Sequence, residues 1–325
     1  MIVLVTFAVL MLLLLTVSLW AAGGQTVYTT PGSGIIEAIP GALEAEPMPP
    51  AGRLIILSYP LAYAWEVSNA GHSPPNPAAV CDRLDRVIET IAASGADIVL
   101  LQEVDFASLR TCEIDQLYYI AAALGWGYAA RAVTWECRYV PWPWRHPTGR
   151  VRAGLGVISR YPLIQHVRHH LPQARAGLLW GARFFPRHAV QMVEVQCGAT
   201  TLRLFNAHLD LRRAAARRRQ MRQLVAFVHR ARTPSCILMG GLRGAAQDGI
   251  LAGLTTEPPN PLRVVTAPIA QHEVEVSDTQ PDSVLIGRSI QVIEVKLVVS
   301  EMPMSDDLPL ALHLRWDLPL MTVLT

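Results

Sequence analysis

Acidic and histidine side chains stand at the ends of several short apolar runs in this 325-residue sequence. Carboxylates are the hard oxygen ligands that divalent cations prefer, and an imidazole can move a proton at a reacting group. Apolar runs of about four to eight residues are typical of buried strands. The positions are Glu103 at the end of the run Asp97–Val104, His208 and Asp210 after Leu202–Ala207, and Asp282 before Ser283–Ile286.

The elements that would position these side chains are predicted from periodicity. Ala78–Ser94 has helical spacing and ends at Gly95, Ile114–Leu124 ends at Gly125, and Arg212–Arg232 forms a basic helix. Strands outnumber helices, which predicts an α/β fold: a four-layer α/β sandwich with two packed, mainly antiparallel sheets flanked by helices. The predicted strands are Leu54–Tyr59, Asp97–Val104, Gly154–Ile158, Ala189–Val195, Leu202–Ala207, Cys236–Met239, Ser283–Ile286, Ile290–Val298 and Leu310–Leu314.

An uncharged apolar run, Ile2–Trp20, opens the chain and has the length of a membrane-crossing helix. We expect residues 1–22 to be a transmembrane anchor, with a cleaved signal peptide as the alternative, and most of the chain to lie outside the cytoplasm. Residues 23–52 are rich in Gly, Pro and Thr and are interpreted as a linker. Residues 53–318 then form the folded domain. The flanking charges do not fix the orientation of the anchor.

Composition bounds the remaining alternatives. The chain is 51% hydrophobic and 17% charged, which excludes a disordered protein, and its net charge of +2 gives no support for a nucleic-acid partner. The five cysteines lack zinc-ligand spacing. Cys112 and Cys137 could form a disulfide in an oxidising compartment, or all five could be small buried hydrophobic residues. The arginines of the basic helix could contact phosphates or lipids, or form a solvated face.

Six segments, in order, resemble the motifs of the endonuclease/exonuclease/phosphatase superfamily. The resemblance runs from about Arg53 to Arg315 and implies a phosphoester hydrolase that uses Mg²⁺ or Mn²⁺. Two further stretches resemble a bacterial subgroup, to which no substrate can be attached. The six segments are DIVLLQEVD (Asp97–Asp105), GLGVISRYPL (Gly154–Leu163), LFNAHLDL (Leu204–Leu211), ILMGGLRG (Ile237–Gly244), PDSVLI (Pro281–Ile286) and SDDLPLAL (Ser305–Leu312).

The resemblance assigns roles to individual residues. Glu103 and Asp306 match the metal-binding carboxylates, and His208 matches the histidine that binds the phosphate. Asp282 matches the aspartate that would orient a second histidine. The catalytic set carried over is therefore His208, Asp282 and Asp306, while Asp210 is either a helper of His208 or a solvated turn residue.

Four positions depart from the superfamily pattern. Pro60 stands where an asparagine is expected, Gly241 and Arg243 replace the Asp and Asn of the glycine turn, and Asp307 replaces the terminal histidine. The water-positioning carboxylate and the second histidine are thus absent. The loss of one such group typically costs about two to four orders of magnitude in rate. Arg243 could instead hold a phosphate.

Three hypotheses follow. The first is a pseudoenzyme whose cleft binds a phosphate-bearing ligand. The second is an active divalent-metal-dependent phosphodiesterase or phosphatase with a rearranged site built on the four matching residues, namely Glu103, His208, Asp282 and Asp306. The third is a non-catalytic envelope scaffold that uses the Pro/Trp-rich loop Val140–Pro147 as its contact surface.

Overall fold

Two seven-stranded sheets dominate the described part of the chain. The computed structural model describes residues 2–21, 32–33, 35–41, 51–64, 76–173, 184–197, 200–210, 213–231, 235–242, 262–266, 283–298 and 308–317. Sheet 1 contains, in spatial order, β1 (Gly32–Ser33), β7 (Leu163–His170), β8 (Ala189–Cys197), β9 (Thr200–His208), β10 (Cys236–Gly241), β12 (Ser283–Ile286) and β11 (Arg263–Thr266). Sheet 2 contains β13 (Gln291–Leu297), β14 (Leu310–Asp317), β3 (Ala51–Pro60), β4 (Ile98–Asp105), β6 (Gly149–Ser159), β5 (Tyr128–Val140) and β2 (Ile35–Ala38). Only the pairs β9–β10 and β3–β4 are parallel among the described strands.

Among the described residues, three α-helices flank the sheets and a fourth precedes them. They are α2 (Pro77–Ser94), α3 (Gln116–Leu124) and α4 (Ala214–Ala231), preceded by α1 (Ile2–Ala21). α2 begins at Asn76, whose side chain accepts a hydrogen bond from the amide of Ala78, and it ends at Gly95 in the left-handed conformation. α3 is limited in the same way by Asp115 and Gly125.

Three apolar layers hold the elements together. One lies between the sheets, where Leu54 and Leu100 meet Val193 and Leu204. A second packs α2 and α3 on the outer face of sheet 2, and a third packs Met221, Leu224 and Val228 of α4 on sheet 1. The four-layer α/β sandwich is therefore confirmed. Most arginines of α4 are exposed and lie on its outer face, away from this core. They are Arg218, Arg219, Arg222 and Arg230.

The structure also differs from the sequence predictions. Strands β1 and β2 fall within the segment interpreted as a linker. They pair with β7 and β5, so residues 32–33 and 35–38 belong to the sheets. Strands β5, β7 and β11 were not predicted, because polar residues interrupt the apolar ones in β5 and β7 and because β11 has only two apolar residues. The disulfide between Cys112 and Cys137 is not formed. The Cys137 thiol is buried and donates to the carbonyl of Ala21, at 3.2 Å.

Helix α1 is the one described helix that is long and apolar enough to cross a membrane, and a signal sequence would satisfy the same criterion. Its side chains are exposed along most of its length, with Ala21 as its buried residue. Ala21 packs against Trp135, Cys137 and Phe184. The last residue of α1 therefore contacts the folded domain directly.

Candidate active site

Glu103 is presented by an irregular end of strand β4. The register of β4 against β6 shifts between Leu101 and Val104, and Glu103 has a φ of 54°, in the left-handed region. A glutamate in this region is uncommon and is held there by its surroundings. The bulge interrupts the alternation of the strand and leaves the Glu103 side chain 29% exposed.

His208 is the last residue of strand β9 in sheet 1, and its side chain lies beside Glu103 of sheet 2. Its Nε2 lies 3.7 Å from Oε1 of Glu103, so the two residues to which the resemblance assigns metal and phosphate binding meet across the gap between the sheets. In the parallel pairing of β9 and β10, His208 lies opposite Gly241. Pro60, at the end of β3, lies opposite Gln102, the residue before Glu103. The site thus lies where β3, β4, β9 and β10 end.

The glycine turn has no room for side chains. A Cβ on Gly240 would lie 2.0 Å from the carbonyl oxygen of Ala207, and Gly240 also has a φ of 124°. A Cβ on Gly241 would lie 2.9 Å from Nδ1 of His208. The imidazole of His208 therefore lies against the backbone at the position where the resemblance expects a catalytic aspartate.

A second histidine, His188, lies against His208. Their rings are nearly parallel, at 13°, with centroids 5.9 Å apart, and Nδ1 of His188 is 3.2 Å from the carbonyl oxygen of His208. Nε2 of His188 is 3.9 Å from the Asp210 carboxylate. Burial, together with the neighbouring His208, lowers the pKa of His188 to about 4. His188 is therefore neutral at pH 7 and packs behind His208.

Asp210 is not a solvated turn residue. It is 8% exposed, its carboxylate accepts from the amide of Arg213, at 3.0 Å, and its own amide donates to Gln220 of α4, at 2.7 Å. These bonds join the end of β9 to the start of α4. Its 3.9 Å separation from His188 makes it a support of the histidine pair.

A row of buried polar side chains joins the two sheets behind the site. The amide of Gln102 donates to Asn206, at 2.8 Å, and Asn206 donates to the carbonyls of Leu101 and Gly156 and to Gln191. Gln191 in turn contacts His166 and donates to the carbonyl of Ala130. Gln102 and Asn206 are 1% and 0% exposed. Because Asn206 and His208 share one face of β9, this row fixes the strand that carries His208.

A buried ion pair lies at the end of β4, two residues beyond Glu103. Both carboxylate oxygens of Asp105 accept from Arg110, at 2.8 Å each, and also from the hydroxyls of Ser108 and Thr111. The Arg110 guanidinium lies 3.8 Å from the centre of the Tyr63 ring. Burial, with Glu103 as the next cause, raises the pKa of Tyr63, which therefore stays a neutral phenol. The pair holds β4 two residues beyond Glu103.

The structure brings together some of the predicted site residues. Glu103, His208, Gly241 and Pro60 meet as described. Asp282, Arg243, Asp306 and Asp307 lie outside the described residues. Within the described ranges, no group of three His, Cys, Asp or Glu side chains could hold a metal ion.

Sequence reasoning missed His188, Asn206 and the Asp105–Arg110 pair. Asp105 and Asn206 stand inside the motifs that carry the resemblance, so their positions were available as signals. Nothing in the local pattern marks His188 or Tyr63, because both reach the site through tertiary contacts.

Comparison with known proteins identifies relatives of this fold. A structure from Beutenbergia cavernae described as an endonuclease/exonuclease/phosphatase superposes with a TM-score of 0.58 at 18% identity, covering 82% of this chain and 72% of that one. A protein of the same description from Bacteroides vulgatus gives 0.55 at 14% identity, covering 82% and 100%. A mannosyl-6-phosphatase from Bacteroides thetaiotaomicron gives 0.52 at 12% identity, covering 80% and 99%. At these identities the likeness shows the fold alone.

Sequence comparison gives the family itself. Among curated protein sequences none matches. The profile of the Endonuclease/Exonuclease/phosphatase family, however, matches residues 67–242, which is more than half of the chain and includes Glu103, His208 and Gly241. The chain therefore belongs to the endonuclease/exonuclease/phosphatase family.

Proposed function

We propose that this protein is a membrane-anchored, extracytoplasmic member of the family whose cleft binds a phosphate-bearing ligand and whose metal-dependent hydrolysis is impaired. The observation that carries the proposal is the contact between Gly241 and His208. At the position of the expected catalytic aspartate there is no side chain, and a Cβ there would lie 2.9 Å from Nδ1 of His208. No carboxylate at 241 positions a water molecule for attack.

The metal-binding part of the site is partly retained. Glu103 offers a partly exposed carboxylate, the ligand type that Mg²⁺ and Mn²⁺ prefer, and it is the described residue that would hold such an ion. A bound divalent cation acts as a Lewis acid that neutralises charge on a phosphate. The His208 imidazole lies 3.7 Å from Glu103 at the same end of the sheets, where it would donate to an oxygen of a bound phosphate.

The changed residues favour binding over turnover. Arg243 replaces an asparagine of the glycine turn with a permanent positive charge, which suits a phosphate. Asp307 replaces the terminal histidine with an acid, which removes a donor to the transition state. The site therefore keeps groups that bind a phosphate in the ground state and lacks groups that stabilise the transition state.

Calorimetric titration with inorganic phosphate tests the proposal. In the full-length protein in detergent micelles we expect Arg243→Ala and His208→Ala each to weaken binding roughly 10-fold to 100-fold, the value of a lost hydrogen bond to a charged group. Arg222→Ala, which removes the same charge from the exposed face of α4, is the matched control and should bind like the parent protein. Unchanged affinity in both site variants would refute a phosphate-binding cleft here.

A second candidate is an active phosphodiesterase or phosphatase with a rearranged site. The meeting of Glu103 and His208 favours it, because two of its four proposed residues are adjacent. This candidate requires Mn²⁺ binding at micromolar to millimolar concentration that is lost in Glu103→Gln. A folded protein that gives no heat with Mn²⁺ would exclude it.

A further inference from the structure

The end of α1 lies in a small aromatic cluster at the tip of the β5–β6 hairpin. Ala21, 5% exposed, packs with Trp135, Phe184 and the Cys137 thiol, which donates to its carbonyl. The β5–β6 hairpin extends beyond the end of β4, since Val140 pairs with Gly149 whereas β4 ends opposite Ala153. If α1 crosses a bilayer, the hairpin tip is therefore the part of the domain next to the bilayer surface.

Large aromatic side chains are exposed around this contact. Trp144 is 82% exposed, Phe185 is 52% exposed and Tyr139 is 39% exposed. Phe185 is held in place by Trp142, whose ring packs against Phe184 and Phe185 with centroids 5.2 Å and 5.6 Å apart. We define the hairpin-tip surface as Tyr139, Trp144 and Phe185 together with the exposed Arg138 and Arg145.

The charge of this surface complements an anionic bilayer. Arg138 and Arg145 are exposed, Arg150 nearby is paired with Glu113, and Glu136 is half-buried on the same strand. Each basic side chain near an anionic membrane surface contributes about 1 kcal/mol of attraction. Tryptophan and tyrosine favour the layer between hydrocarbon and water, where the ring is buried and the polar group stays hydrated.

We propose that the hairpin-tip surface rests in the headgroup layer of the bilayer that α1 spans, with anionic lipid as its partner. The proposal rests on the membrane anchoring included in the proposed function. Three observations point to a lipid surface as the occupant: the continuity with α1 through Ala21, the exposed aromatic rings, and the two exposed arginines.

This docking would hold the candidate site beside the membrane. Tyr63 packs edge-on against Trp135, with centroids 6.3 Å apart, and lies under Arg110, the partner of Asp105. Asp105 follows Glu103 by two residues. A short series of contacts thus connects Trp135, in the cluster around Ala21, to Asp105, two residues beyond Glu103.

Quenching of tryptophan fluorescence by brominated lipids tests the docking. The full-length protein is reconstituted into phosphatidylcholine vesicles with and without phosphatidylglycerol, with bromine atoms near the headgroup end of the acyl chains. Trp144→Phe keeps an aromatic ring and should remove the part of the quenching that Trp144, one of eight tryptophans, contributes. The double variant Arg138→Gln/Arg145→Gln should reduce quenching only in vesicles that contain phosphatidylglycerol.

Trp126→Phe is the matched control. Trp126 is buried and lies before the first residue of β5, so the 13-residue strand places it roughly 40 Å from the tip. This variant should leave the bromolipid quenching unchanged. Equal quenching of the parent protein and Trp144→Phe would overturn the docking. Mass spectrometry separates this result from failure of the anchor: a mature protein that lacks residues 2–21 contradicts the anchoring, whereas an intact chain without Trp144 quenching contradicts only the docking.

Discussion

The buried pair of Arg110 and Asp105 predicts that loss of one charge will destabilise the domain strongly. The side chains are 4% and 0% exposed, and the bidentate bonds are 2.8 Å long. Burial alone would lower the pKa of Arg110, but Asp105 raises it above its ordinary value, so the guanidinium stays charged. Arg110→Met therefore leaves the Asp105 carboxylate buried, with only the hydroxyls of Ser108 and Thr111 as remaining side-chain donors.

The magnitude follows from the burial of the pair. Breaking a buried ion pair by removal of one partner costs about 3–5 kcal/mol, because the other charge remains without compensation. For a domain of this size, 1 kcal/mol corresponds to roughly 2–4 °C in Tm, so we expect Tm to fall by about 6–20 °C. Arg150→Met is the matched control, since Arg150 also pairs with a carboxylate, Glu113, but both side chains are about half exposed. That pair is worth about 0.2–1 kcal/mol.

Thermal unfolding in detergent micelles, followed by near-ultraviolet circular dichroism, measures both variants. The double variant Arg110→Met/Asp105→Asn should recover part of the loss, because no buried carboxylate then remains. Equal and small decreases of Tm for Arg110→Met and Arg150→Met would refute the reasoning, since they would show that Asp105 is solvated when Arg110 is absent.

Two further predictions concern the polar row between the sheets. Burial lowers the pKa of His166 from 6.5 to about 4, so between these values the unfolded chain binds more protons. The free energy of unfolding should fall by on the order of 3 kcal/mol from pH 6.5 to pH 4. In urea titrations of His166→Gln, this part of the pH dependence should be absent. In the same assay Asn206→Leu should cost about 1–3 kcal/mol, because Gln102 loses its 2.8 Å acceptor; unchanged stability would contradict it.

Those elements of the fold that could be predicted from the sequence are the ones marked by local periodicity or by the order of the motifs. The face of α2 formed by Val80, Leu84, Val87 and Ile91 is buried as its spacing indicates, and Gly95 ends the helix. Strand β5 was not predicted because Glu136, Arg138 and Tyr139 interrupt its apolar residues where the strand extends beyond the sandwich. The pairing of β2 with β5 joins segments about 90 residues apart in the chain and leaves no local signal.

The candidate site was predictable only at the level of its motifs. Glu103 and His208 come together because the ends of two strands meet, which the resemblance implied. Sequence alone could not show that the His208 imidazole lies against Gly241, or that His188 stacks behind it. Those contacts depend on the spacing between strands of sheet 1 and on the distance between the two sheets.

Phosphoester turnover tests the central claim most directly. Full-length protein and Glu103→Gln are assayed with p-nitrophenyl phosphate and bis-p-nitrophenyl phosphate, in the presence of Mg²⁺ and then of Mn²⁺. Because the water-positioning carboxylate is missing at Gly241, we expect the parent protein to show no more hydrolysis than Glu103→Gln. A kcat in the ordinary enzymatic range, about 1–10³ s⁻¹, that Glu103→Gln abolishes would contradict the account.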